Sequence, residues 1–117
     1  MRNFKELKIW QKGFQIAVNC FKFTVSFPKE EKYGIVSQIN RAGVSIPSNI
    51  AEGSSRSSEK DYNRFIEIAL GSTFELETQL LIAEATNFGD RDLCNQMKKD
   101  IDEEQKMLIS FMSKLKT

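Results

Sequence analysis

The chain has 117 residues, 40% of them hydrophobic and 28% charged, with a formal net charge of +1. That length suits one domain spanning 1–117, and the scarcity of turn formers (6 Gly, 2 Pro) argues against a β-sandwich, a disordered chain or a collagen-like repeat. With no His and only two Cys there is no imidazole base, no Ser-His-Asp or Cys-His pair, and neither a His-bearing nor a four-cysteine metal site.

The first eight residues, Met1 to Lys8, contain no apolar signal core. No later segment approaches the roughly 18 apolar residues of a membrane helix, so the expected location is the cytoplasm, away from membrane. Leu7, Trp10, Phe14, Ala17 and Phe21 then recur at steps of three and four, one face of an α-helix expected to meet the core. A second stripe follows Ile9, Ile16, Cys20, Phe23 and Phe27, with Gly13 as a small member. One stripe is enough for a bundle core, and leaving the other open would expose an apolar patch too large for a lone chain. Ile16, Cys20, Phe23 and Phe27 are therefore the expected surface of self-association. Neither Cys20 nor Cys94 belongs to a metal-ligand spacing, and Cys20 among apolar neighbours reads as a small hydrophobe in a reducing compartment. The Phe27–Pro28 pair ends the helix, because a residue before proline is steered away from the α region.

A second helix is expected to start between Lys29 and Tyr33 and to turn Ile35/Val36, Ile39, Ala42/Gly43, Ile46 and Ile50 inward. Pro47 interrupts its pattern, giving either one helix kinked there and stopped at Gly53, or two separate helices. After the polar joint at 54–58, Ser58 and Asp61 approximate a capping box. They open a third helix that runs to about Thr86 through Tyr62, Phe65/Ile66, Ala69, Thr73, Leu76, Leu80 and Ala83. Gly71, in its middle, reads as a place where a neighbouring helix comes close. Gly89 is the next stop signal and Asp90 the next N-cap, before a fourth helix repeating Leu93, Met97, Ile101, Leu108, Phe111/Met112 and Leu115. Its charged stretch from Asp100 to Lys106 is expected to face solvent on at least one side. Four such helices with short joints predict an all-α, antiparallel up-down-up-down four-helix bundle.

The densest polar row is Gln38, Arg41, Ser45, Ser48/Asn49 and Glu52, which share one helical face around Pro47 and lead to Gly53. In a catalytic reading Glu52 would move a proton and Arg41 would hold an anion, but no nucleophile, metal cluster or phosphate-binding glycine loop accompanies them. The favoured reading is structural, with Ser45 and Asn49 serving the backbone broken at Pro47. The carboxylates Glu75/Glu77 and Asp100, Asp102, Glu103 and Glu104 read as solvated faces. No cofactor, metal or small-molecule substrate is expected. Residues 1–32 hold seven bases against three acids, and residues 59–86 two against six. This layout is open to a local basic surface or to head-to-tail pairing of the two segments. Lys5, Lys8 and Lys12 share a face and suit phosphate contact or plain solvation.

The segments Gln38-Ile39-Asn40-Arg41-Ala42 and Val44-Ser45-Ile46-Pro47-Ser48-Asn49-Ile50-Ala51-Glu52-Gly53 resemble a family signature. It is that of the four-helix-bundle proteins encoded within intervening sequences of large-subunit ribosomal RNA genes. Phe4 to Lys12, Phe27 to Gly34, Ala69 to Ser72 and Glu75 to Leu80 agree with it in order, so the resemblance covers residues 4 to about 90. It implies a bundle assembled into a ring-shaped homo-oligomer, a pentamer, with no catalytic residues. The same fold is similar to the accessory protein of diversity-generating retroelements, a basic pentameric barrel that binds nucleic acid and a reverse transcriptase. This chain departs from it in being nearly neutral. Two expectations follow. One is a non-enzymatic ring that binds RNA or a ribonucleoprotein through Lys5, Lys8, Lys12 and Arg41 or Arg56. The other is a homo-oligomeric protein-interaction scaffold that never touches nucleic acid.

Overall fold

A computed structural model of the chain describes residues 2–115. The chain opens on a 3-10 turn at Phe4–Glu6, continues through α1 (Lys8–Thr24) and a second 3-10 turn at Lys29–Glu31, then forms α2 (Ile35–Ser54), α3 (Glu59–Ala85) and α4 (Arg91–Ser113). No strand occurs among the described residues.

Local chemistry sets most of these limits. The Ser58 hydroxyl accepts from the Asp61 N–H at 3.1 Å, and Asp90 Oδ1 accepts from the N–H groups of Asp92 and Leu93 at 2.8 and 3.0 Å. Two helix starts are thus relieved of orphan donors. Lys29–Glu31 stays a separate turn, and α2 begins later than expected, with Gly34 as its N-cap. Pro47 lies inside α2 without splitting it. Asn49 does not tend the Gly43 carbonyl that proline deprives of a donor; its Nδ2 donates to the Ser45 carbonyl at 2.8 Å. Gly53 is small for a reason other than capping. It lies in the last turn of α2, and a Cβ there would come 2.7 Å from Phe65 Cβ.

Packing joins α1 to α2, α2 to α3, α3 to α4 and α4 back to α1, which leaves α1/α3 and α2/α4 as diagonals. The molecule is 44 Å long and about 20 Å across, and the 27 residues of α3 alone account for about 40 Å of that length. The core draws Ile9, Ile16, Cys20, Phe23 and Phe27 from the α1 segment, Ile39, Ile46 and Ile50 from α2, Ile66, Leu76 and Leu80 from α3, and Met97, Ile101 and Leu108 from α4.

This core inverts the expected roles of the two stripes on α1. Ile16 and Cys20 are 0% exposed, Phe23 1% and Phe27 7%, so these four are interior to the chain and offer no surface for self-association. Small residues explain the choice. A Cβ on Gly43 would come 2.5 Å from Cys20 Sγ, and one on Gly13 would come 3.0 Å from Ile46 Cγ2, so α1 and α2 meet closely only along this face. Burial pushes the Cys20 thiol up to about 12, leaving it an inert packing group. Gly71, contrary to expectation, is no point of close approach within the chain: it is exposed, and nothing within the chain lies within 4 Å of a Cβ built on it.

The joint before α4 carries a sharper steric demand. Gly89 has φ +82°, and a Cβ there would run into the Phe23 ring and come 2.9 Å from Phe27 Cε1. Gly89→Ala is expected to lower stability by at least about 2 kcal/mol, read as a shift in the urea midpoint. An unchanged midpoint would show that the joint yields without strain.

Candidate functional site

With the expected interface stripe spent on the core, the aromatic stripe of α1 faces outward. Phe14 and Phe21 are 50% and 51% exposed. Trp10 is half-buried, held edge-on by Phe4 at a centroid distance of 5.3 Å and tilted against Phe14 at 5.2 Å. Between these rings the short side chains of Ala17 and Ala51, with Val18, Val44 and Pro47, leave a groove of about 370 Å³ whose lining is apolar except for Ser48. Pro47 has a structural position and a second use here: having no N–H to pair, it presents an apolar ring to the groove. Trp10, Phe14, Ala17 and Phe21 of this site were legible in the sequence as a helical stripe; their outward direction was not, and Val18, Val44 and Ala51 carried no signal that singled them out.

A second outward apolar face runs along α3. Ile68, Phe74, Leu81 and Ile82 are 45–51% exposed, and Gly71 lies one turn before Phe74. Two such faces exceed the scattered single hydrophobics normal on a monomer. Apolar residues recur on every side of α3, so periodicity in this segment could not separate inside from outside.

The cations expected to contact nucleic acid are not equally free. Lys12 Nζ lies 3.2 Å from Asp100 Oδ1 and 3.2 Å from Glu103 Oε2. Burial alone would lower its pKa, and the hydrogen bonds to Asp100 and Glu103 override this and raise it. Arg56 pairs with Glu52 at 2.9 Å and lies 4.7 Å above the Phe65 ring. Lys5 sits 6.0 Å over the Phe4 ring. Lys8 and Arg41 are exposed and make no ion pair among the described residues. Lys5, Lys8 and Lys12 therefore do not present three free charges: acids on α4, distant in sequence, hold the third.

The polar row on α2 largely ties helices together. Ser45 Oγ and Ser72 Oγ are 2.8 Å apart, linking α2 to α3, and Asn49 Nδ2 donates to Ser45 Oγ at 2.9 Å. Gln38, Arg41 and Ser45 border a small cleft with Glu75, about 210 Å³ in volume. At the other end of α2, Arg2 donates to the carbonyls of Ser54 and Arg56 and lies 4.5 Å over the Tyr62 ring, strapping the N-terminal segment to the α2–α3 joint.

One buried group was missed. Glu104 is 0% exposed, and neither carboxylate oxygen has a hydrogen-bond partner. Burial pushes its carboxyl up to about 8, against a modest opposing pull from Lys12. The stretch expected to be solvated thus turns two acids inward, Glu104 and the Lys12-paired Asp100. The signal was the position itself, since Glu104 fills the gap in the stripe Met97, Ile101, Leu108.

Among the described residues no group of three His, Cys, Asp or Glu side chains could hold a metal ion, and no helix is long and apolar enough to cross a membrane. Among curated proteins, none matches the chain. A solved structure from Bacteroides thetaiotaomicron, a protein of unknown function from the S23 ribosomal protein family, is similar to it at 28% identity with a TM-score of 0.82; the match covers 90% of this chain and 95% of that one. Residues 5–110 match the 23S rRNA-intervening sequence protein family. Four helices on one core and a family match over residues 5–110 make the chain a member of that family.

Proposed function

We propose that the protein is a non-enzymatic helical module, its helices alternating up and down, that assembles with copies of itself into a ring and serves as an interaction scaffold in the cytoplasm. The groove between α1 and α2 carries this reading: three aromatic rings and an apolar floor stand open to water, where a lone soluble chain gains nothing from them. The family resemblance points to five copies. A non-catalytic role is supported by the polar row on α2, whose Ser45 and Asn49 are engaged in bonds within and between helices. Mass in solution by light scattering tests the reading, and a wild-type mass of one chain overturns it. Phe14→Glu, at a half-exposed position, is expected to keep its helical circular dichroism and fall to the mass of one chain. A Phe14→Glu variant that assembles like the parent would take the groove out of the interface.

A second reading, contact with RNA or a ribonucleoprotein, is supported by Lys5, Lys8 and Arg41, which stay exposed outside the ion pairs and would be repeated in each copy of a ring. RNA titration of the assembled protein at low and moderate salt separates the two. A log affinity that falls steeply with log salt supports phosphate contact, and indifference to RNA leaves the scaffold.

A further inference from the structure

We propose that the groove between α1 and α2 of one copy receives the outer face of α3 of the next copy, head to tail. The inference rests on the self-assembly reading above and names which surface fills the groove. Three observations carry it.

The first is number and shape. The chain exposes two different apolar faces, one concave between two helices and one convex along a single helix. A symmetric contact of groove on groove would leave a void at its centre and Phe74, Leu81 and Ile82 still in water. A head-to-tail contact uses both faces, and a ridge of side chains on one helix fits between two others.

The second is Gly71. Glycine in mid-helix is unfavourable, and nothing within the chain repays it, since a Cβ at this position would meet only open space. A bare backbone beside Phe74 lets the rim of a neighbouring groove come close to α3.

The third is charge. Helix α1 carries three lysines and no acid and α3 six acids and two bases, but Lys12, Asp61, Glu77 and Glu84 are engaged within the chain, by Asp100 and Glu103, by Arg64, by Gln105 and by Lys98. Lys8 and Lys22 on α1 and Arg41 beside the groove make no ion pair among the described residues; on α3 the exposed acids Glu67 and Glu75 and the exposed base Lys60 are likewise outside the ion pairs, acids in excess. Opposite signs on the two faces favour the mixed contact and disfavour each face meeting its own copy.

Complementary variants test this. Phe14→Glu spoils the groove and Leu81→Glu spoils the α3 face, each at a half-exposed position where the chain still folds. Each variant alone is expected to have the mass of one chain. Mixed in equal amounts at high concentration they are expected to give twice that mass and nothing larger, because one intact groove meets one intact α3 face. Gly71→Trp, with free space within its own chain, is expected to block assembly as Leu81→Glu does. A wild-type chain that stays single defeats the self-assembly reading itself. A wild type that assembles while Leu81→Glu and Gly71→Trp assemble equally well overturns only this inference, and so do two single-chain variants whose mixture never doubles in mass.

Discussion

Glu104→Gln is expected to raise stability by on the order of 3 kcal/mol at pH 7 and to change it little at pH 4. The reason is a carboxyl held fully inside the bundle with neither oxygen hydrogen-bonded. A Cβ on Gly13 of α1 would lie 3.0 Å from Glu104 Oε2, so even the facing helix leaves it only enough room to fit. Lys12 is the cation near it, and its own hydrogen bonds go to Asp100 and Glu103. Burial therefore pushes Glu104 up to about 8, and the folded chain holds it neutral where the unfolded chain would ionise it. The sign follows. Below the ordinary value of 4.5 both states are protonated and the full stability is present. As pH rises from there towards 8, the unfolded chain gains by losing the proton, and folding stability falls by up to about 1.4 kcal/mol per unit. Glutamine cannot ionise, so the slope disappears. Urea unfolding of parent and variant between about pH 5 and pH 8 reads this directly. The lowered carboxyl of Glu84, held down first by its hydrogen bond to Lys98, acts the opposite way and only at more acid pH. A parent whose stability is flat across the window would mean that Glu104 is charged and solvated in the fold.

What the sequence disclosed divides along physical lines. Ser58 with Asp61, and Asp90 with the two N–H groups after it, are contacts within a few residues, and the helix starts they mark appear where expected. The aromatic row Trp10, Phe14, Phe21 and its neighbour Ile9, Ile16, Cys20, Phe23 were equally visible as stripes. Periodicity says which residues share a face but not which face meets the core, and assigning the aromatics inward reversed α1. The deciding information lay in glycines that each admit a side chain of the facing helix, Gly43 against Cys20 and Gly13 against Ile46. The candidate site was misplaced for a related reason. Lys12 looks free along its own helix and is engaged only because α4 brings Asp100 and Glu103 opposite it. Pairings of that range leave no periodic trace in either segment.

The rotation of α1 is also where a single substitution has its largest effect. Phe23→Glu is expected to abolish cooperative folding at neutral pH, whereas Phe21→Glu, two positions away, is expected to keep the fold. Phe23 is 1% exposed, edge-on to Phe27 at 5.1 Å and packed beside Gly89 at the joint before α4. Truncating such a ring to alanine alone removes about 3–5 kcal/mol. A glutamate there adds an unpaired charge with no water, and the sum consumes much or all of the roughly 5–15 kcal/mol that hold a domain of this size together. Phe21 is half in water already, so a charge at its end stays solvated and only the groove loses a wall. Far-ultraviolet circular dichroism with thermal melting separates the pair: a loss of the transition for Phe23→Glu, and a retained cooperative transition for Phe21→Glu, lowered only by what assembly contributes. A cooperative, parent-like melt for Phe23→Glu would place Phe23 outside and turn α1 about its axis. The groove would then close, and the assembly argued from it would lose its surface.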